Sequence, residues 1–215
     1  MYPERRDKAP VVLVICEIYG LTDWIRAVAD QLAEDGFIAI APDLVSGKGP
    51  NGGGTESATS RDEVVRWIRG LTTDEVLARL NAVRSYGIGL PAANGKTATV
   101  GFCWGGSQSF LYACRQPDLD AAVVYYGSSP DSSLLARLSK APVLGLYGGD
   151  DARVNATIEP AQNVLRAMKK TYEVEIYEGA GHGFLRAQSG RDGANLRATQ
   201  KAWPRTIEFL KKHTK

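Results

Sequence analysis

Thr99-Val100-Gly101-Phe102-Cys103-Trp104-Gly105-Gly106 is the stretch on which the reading of this chain turns. A short β-branched run, residues 97–101, leads into it, and a segment of helical spacing, 104–115, leads out. A nucleophilic side chain therefore stands between two glycines at a strand-to-helix turn, the context a nucleophile elbow requires. Such a turn is sharp: its central residue takes a strained backbone conformation, its side chain stands clear of the sheet, and its neighbours must be small. Gly101 and Gly105 meet that need. The Cys103 sulfur is then expected at the helix N-terminus, where free N–H groups and the dipole favour a thiolate and can hold a developing oxyanion. The Trp104 N–H is the natural first oxyanion donor. Cys114 lies inside the following helix with no glycine context and reads as an inert core cysteine.

Outward from the elbow, short β-rich runs alternate with longer segments of helical period. Residues 11–16, 37–41, 97–101, 121–126, 143–147 and 173–177 are brief, apolar or β-branched, and bounded by Gly, Pro or Asp. Their near-continuous hydrophobicity suits strands covered on both faces. Helical spacing marks 22–35, 62–69, 73–85, 104–115, 157–170 and 194–212; Gly36 suits a C′ position after the first, and Pro204 is expected to break or restart the last. The pattern predicts an α/β fold, a mostly parallel sheet with helices on both faces, in a single domain over 1–215. Residues 46–55, with Gly47, Gly49, Pro50 and glycines 52 to 54, are expected to form an exposed, mobile loop. They lack the order of a phosphate-binding loop.

Downstream of Cys103, Gly148-Gly149-Asp150-Asp151 follows a strand, and one of these aspartates is expected to accept a histidine ring N–H and fix its tautomer. Asp151 is preferred, with the assignment open by one residue; Asp150 reads as local turn chemistry. Of two histidines, His213 sits in the basic tail Lys211-Lys212-His213, where a solvated side chain is expected. His182 lies in Gly179-Ala180-Gly181-His182-Gly183-Phe184, a small-residue loop from which an imidazole can reach the C-terminal edge of the sheet. The order nucleophile, acid, histidine is one in which such triads occur. Glu17 emerges directly after the first strand, where the Ile18 N–H is placed to be the second oxyanion donor. A carboxylate there keeps a nearby thiol protonated by like-charge repulsion until substrate arrives.

The bulk properties narrow the field. With 215 residues, 44% hydrophobic and 23% charged, the chain can bury a substantial core. The formal net charge of +2 is spread over interspersed acids and bases, so no basic stripe invites nucleic acid. No apolar run approaches the ~20 residues of a membrane span, so no membrane association is expected. Three cysteines, at 16, 103 and 114, suggest neither a disulfide framework nor a zinc site. A reducing, cytoplasmic setting follows, or a periplasmic one if the polar opening, Met1 to Lys8, is a truncated or processed end.

Taken together, Glu17-Ile18-Tyr19-Gly20, Ala41-Pro42-Asp43-Leu44, Gly101 to Gly106, Tyr125-Tyr126-Gly127, Gly148 to Asp151 with Val154, and Gly181-His182-Gly183-Phe184 with Arg186 resemble the dienelactone hydrolase family, the carboxymethylenebutenolidases. The resemblance spans nearly the whole chain. It implies an α/β-hydrolase fold and a Cys103–Asp151–His182 triad, with Glu17 taking the thiol proton when a bound substrate carboxylate rearranges the site. It further implies that Arg186 binds that carboxylate, that Arg61 is the nearest candidate for a second arginine, and that Tyr126 lines the pocket. No metal or organic cofactor is implied, and the product from dienelactone itself would be maleylacetate. The family usually carries a strand pair before the strand ending at Cys16, for which this chain has little room. The sheet edge so uncovered points to a homodimer. Two other readings remain at this stage: a broad small-acyl esterase or thioesterase, and a non-enzymatic redox sensor in which Cys103 is an oxidisable thiol.

Overall fold

The computed structural model of the protein describes residues 7–138 and 140–215, so most of the polar opening segment falls outside the described residues. The chain forms two compact units, Met1–Thr97 and Ala98–Lys215. Its strands make one six-stranded sheet in the order β2-β1-β3-β4-β5-β6. The six expected strands are all present, with ends displaced by a few residues at most.

The first unit contains β1 (Ala9–Ile15), α1 (Asp23–Glu34), β2 (Ile38–Ile40), α2 (Arg61–Arg69) and α3 (Thr73–Ile88). Every residue of β1 is buried, as a continuous apolar run demands. β1 and β2 pair in parallel with Val11 opposite Ile38 and Leu13 opposite Ile40, and α1 and α3 both contact this pair. The helices begin where side chains can satisfy their first N–H groups: Thr22 accepts from Ile25, Ser60 from Glu63, and Thr72 forms a reciprocal capping box with Glu75.

The glycine-rich stretch departs from the expected free loop. It is exposed to half-buried and contains two short 3₁₀ turns, Pro50–Gly52 and Thr55–Ser57. The Gly47 and Gly49 N–H groups donate to the Gly53 carbonyl at 3.0 and 2.9 Å. The Asp43 carboxylate accepts from the Thr55 N–H at 2.6 Å and the Thr55 hydroxyl at 2.9 Å. Backbone bonds and one carboxylate here replace the side-chain burial that the composition lacks.

β3 (Ala93–Phe102) carries the chain into the second unit, which holds α4 (Trp104–Arg115), β4 (Ala121–Tyr125), α5 (Ser132–Leu135), β5 (Val143–Gly148), α6 (Ala152–Asn155), α7 (Ile158–Ala167), β6 (Tyr172–Tyr177) and α8 (Ala194–His213). β3 to β6 pair successively in parallel, with Phe102 opposite Tyr125 and Gly148 opposite Tyr177 near their C-terminal ends. Three ends therefore converge on the same edge: Cys103 follows β3, Asp151 follows β5 by a short turn, and His182 follows β6.

Two expectations are corrected in this unit. Pro204 neither breaks nor restarts the last helix, because α8 runs through it unbroken. A mid-helix proline costs about 3 kcal/mol. Burial of Ala198, Ala202, Thr206, Phe209 and Leu210 against β4 and β5 offsets it. His213 is not solvated: its ring lies 4.7 Å from that of Phe209, and burial holds its pKa below the usual imidazole value.

Candidate active site

Cys103 has φ 56° and ψ −117°, left-handed space that a side-chain-bearing residue enters only at a cost of about 1–3 kcal/mol. The surrounding backbone enforces it. A Cβ on Gly101 would stand 2.0 Å from the Gly105 carbonyl oxygen, and one on Gly106 would stand 2.6 Å from that of Tyr125. Strand and helix thus meet at backbone contact, and only glycine fits. The Cys103 N–H donates to the Tyr125 carbonyl at 3.0 Å, which ties the elbow to β4 while α4 begins at Trp104 with no side-chain cap on its first N–H groups.

Asp151 and His182 come together as expected. The buried Asp151 carboxylate lies 2.5 Å from His182 Nδ1 through Oδ2. The His182 side chain is 35% exposed and also shares a hydrogen bond with Cys103. That bond is the strongest influence on the ring and raises its pKa; partial burial opposes it, and the Asp151 bond raises it further, to about 9. The contacts with Cys103 and Asp151 thus favour the protonated form of the ring. Cys114 is buried and its thiol is pushed up to about 12, an inert core cysteine as read.

The loops carrying the acid and the histidine are held in part by residues, Asn195 and Asn155, that no local sequence signal marks. The buried Asn195 accepts from the Gly181 N–H at 2.9 Å and donates to the Ala187 carbonyl at 2.7 Å, bracketing His182. Two residues past His182, Phe184 is fully buried against the rings of Tyr125, Tyr126 and Tyr177, with centroids 6.0, 5.4 and 5.5 Å away. Asn155 donates to the Gly148 carbonyl at 2.9 Å and steadies the acid turn. Asp150, read as local turn chemistry, instead accepts from Arg191 Nη1 at 2.9 Å. The Asp150 N–H donates to the Ala180 carbonyl at 3.0 Å, while the Asp151 N–H closes the turn on the Gly148 carbonyl at 3.2 Å. Tyr126 is fully buried just after β4, with φ 41°, and its ring centroid lies 5.2 Å from that of His182. Arg186 is exposed on the same loop, with Nη2 3.6 Å from where a Gly183 Cβ would lie.

In the first unit, Glu17 directly follows β1 and is only 3% exposed, unusual for a carboxylate. The Gly20 N–H bonds back to its carbonyl at 3.1 Å, closing the turn that contains Ile18. The Arg61 guanidinium lies 3.9 Å from the centroid of the Tyr19 ring, a cation–π contact. These two side chains line a cavity of about 250 Å³ together with Thr22, Thr55, Thr59 and Ser60. Among the described residues, no cluster of three or more His, Cys, Asp or Glu could hold a metal ion, and no helix is long and apolar enough to cross a membrane.

A parallel sheet flanked by helices, with a strained cysteine after one strand and an acid–histidine pair after two others, defines an α/β-hydrolase. The profile of the dienelactone hydrolase family matches residues 1–214, and the chain belongs to that family. A carboxymethylenebutenolidase of Pseudomonas sp. strain P51 is 32% identical over 96% of this chain and 86% of its own length. A Salmonella typhimurium protein, provisionally named a carboxymethylenebutenolidase, is 34% identical over 97% of this chain and 79% of its own. The crystal structure of a Klebsiella pneumoniae protein, provisionally called a dienelactone hydrolase, superposes with a TM-score of 0.83 at 30% identity, covering 97% of this chain and 90% of that one. The protein is accordingly a hydrolase acting on ester bonds.

Proposed function

We propose that the enzyme opens small lactone or ester bonds, dienelactone-type substrates among them, by acyl transfer through Cys103, His182 and Asp151. The observation that carries this reading is the linked pair of hydrogen bonds, Cys103 to His182 and His182 to Asp151 at 2.5 Å, at a strained elbow. Once substrate is bound and Glu17 has taken the thiol proton, the Cys103 thiolate attacks the acyl carbon, and the carbonyl oxygen becomes an oxyanion facing the Trp104 N–H. As the ring C–O bond breaks, the leaving oxygen takes the proton from the imidazolium. The cysteine is then a thioester and no longer holds a charge against His182. The largest influence raising the ring's pKa is gone, so His182 can now accept a proton from water. The hydroxide equivalent attacks the thioester, and its collapse returns the thiolate and releases the acid. The one ring serves as acid and then as base, each step setting the protonation needed for the next.

The family resemblance assigns the remaining roles: Ile18 as the second oxyanion donor, Glu17 as acceptor of the thiol proton, Arg186 and Arg61 as partners of a substrate carboxylate, and Tyr126 as a pocket wall. From dienelactone the product would be maleylacetate. Cys103→Ala and His182→Ala should each abolish hydrolysis with the circular dichroism spectrum unchanged; turnover retained in either variant would refute the triad. An anionic lactone that shields Cys103 from iodoacetamide supports both the nucleophile and the charge preference, and Arg186→Ala should mainly raise KM for such substrates. A second reading, a broad small-acyl esterase, is favoured by the exposure of Arg186 and by the engagement of Arg61 with Tyr19. It predicts equal catalytic efficiency on p-nitrophenyl acetate and an anionic lactone.

A further inference from the structure

The acid and the histidine arrive from different strands, on loops that must stay in register for their 2.5 Å contact to persist. Each is immediately preceded by a residue in contact with the same side chain. Asp150, before Asp151, accepts from Arg191 Nη1 at 2.9 Å. Gly181, before His182, lies under the same guanidinium: a Cβ there would stand 3.0 Å from Arg191 Nε and 3.3 Å from Nη2. Below this contact the two loops also touch through backbone, with the Asp150 N–H donating to the Ala180 carbonyl at 3.0 Å.

The segment that delivers Arg191 is itself strained. Arg191, Asp192 and Gly193 have φ of 57°, 48° and 80°, three left-handed residues in succession before α8, two of them without glycine's freedom. Such conformations persist where surrounding contacts over-determine them. The ion pair cannot be explained as a stability device. Its side chains are 52% and 47% exposed, and solvent screening makes such pairs nearly worthless on their own. Its value lies in where it is anchored.

We propose that Arg191 is a positioning residue, whose guanidinium clamps the residue before the catalytic acid to the residue before the catalytic histidine and so fixes the Asp151–His182 hydrogen bond. The proposal rests on the triad reading given above. It accounts for the close approach of the guanidinium to Gly181, where a Cβ would press it back by a few tenths of an ångström, and for an aspartate at 150 beside the one that does the chemistry. Arg191 touches neither substrate nor a reacting atom in this role.

The test uses the full-length enzyme and two variants, Arg191→Ala and Asp150→Ala, with the kinetics of p-nitrophenyl acetate hydrolysis and the pH titration of the His182 Hε1 proton resonance as readouts. Cys103 and Asp151 are the titratable groups bonded to that ring. Both variants should lower kcat by about three- to tenfold at unchanged KM, as expected when alignment slackens by a fraction of an ångström. Both should also move the His182 midpoint downward from that of the unsubstituted enzyme, because a looser Asp151 bond stabilises the cation less. An unchanged titration in either folded variant overturns the clamp, whatever happens to kcat, since a residue that merely supported the fold would leave the ring's protonation alone. If Arg191→Ala does not fold, Asp150→Ala, which removes the acceptor on an exposed turn, decides alone. If the unsubstituted enzyme hydrolyses no ester, the triad reading is lost while the titration still decides whether the clamp exists.

Discussion

Two stretches of this chain are rich in glycine, residues 46–54 and 179–183, and they are built in opposite ways. The first is held chiefly from within: its N–H groups bond its own carbonyls and the Asp43 carboxylate fastens its far end at Thr55, while from α3 Arg79 donates to the Ser46 carbonyl and Glu75 pairs with Lys48. The second is held from outside, by Asn195 at Gly181, by Phe184 in an aromatic cluster, and by the Arg191 guanidinium lying over Gly181. Glycine turns the chain in the first and admits other groups to close range in the second. A loop that only needs a shape can supply its own bonds, whereas one that must present an imidazole at a set distance borrows rigidity from its neighbours.

The largest effect that would break this comparison lies at the contact between acid turn and histidine loop. A Cβ on Gly148 would stand 2.5 Å from the Ala180 carbonyl oxygen and 2.7 Å from that of Gly181. Gly148→Ala should therefore displace the loop and cut kcat on p-nitrophenyl acetate by about 10²-fold. Gly52→Ala in the first stretch meets nothing within 4 Å; it should cost only the left-handed penalty of about 1–2 kcal/mol, read in urea unfolding, with kcat preserved. Next in size, Asn195→Ala leaves the buried Gly181 N–H without its acceptor, so stability should fall by about 1–3 kcal/mol and turnover with it. Asp43→Ala removes both acceptors of Thr55 and should cost about 1–3 kcal/mol, with faster hydrogen exchange at the Gly47, Gly49 and Thr55 amides and no change in the His182 titration.

The smallest effect is one of proton linkage. The folded-state pKa of His182 is raised from 6.5 to about 9. The ring's contribution to stability is thus fully present below pH 6.5 and lost as pH rises through about 9. The difference in unfolding free energy between the unsubstituted enzyme and His182→Gln should shrink across that window. Because the bond to Cys103 outranks that to Asp151, Cys103→Ala should lower the His182 midpoint further than Asp151→Asn. The reverse order would reassign the charge that holds the ring protonated.

Much of this was legible from residue order. The parallel strands announced themselves as continuous apolar runs, and the Cys103 elbow by two flanking glycines at a strand-to-helix change of period. What escaped were interactions whose partners lie far apart in sequence and have no periodic signature. Nothing in the sequence around Asn195 pairs it with Gly181, 14 residues earlier. The acid at 150 resembled turn chemistry because its real partner is 41 residues away. Pro204 misled for the complementary reason: a local rule was outweighed by burial along a helix face, which no local rule contains.

The elbow's shape is written in main-chain atoms: Gly101 against Gly105, Gly106 against Tyr125, and the Cys103 N–H on the Tyr125 carbonyl. None of these involves the sulfur. A hydroxyl in its place would inherit the same perch, yet a hydroxyl gives up its proton far less readily than a thiol does. The architecture is thus indifferent to which atom stands on the elbow, and under the proposed triad a change of nucleophile would be a change of catalytic cycle on unaltered foundations.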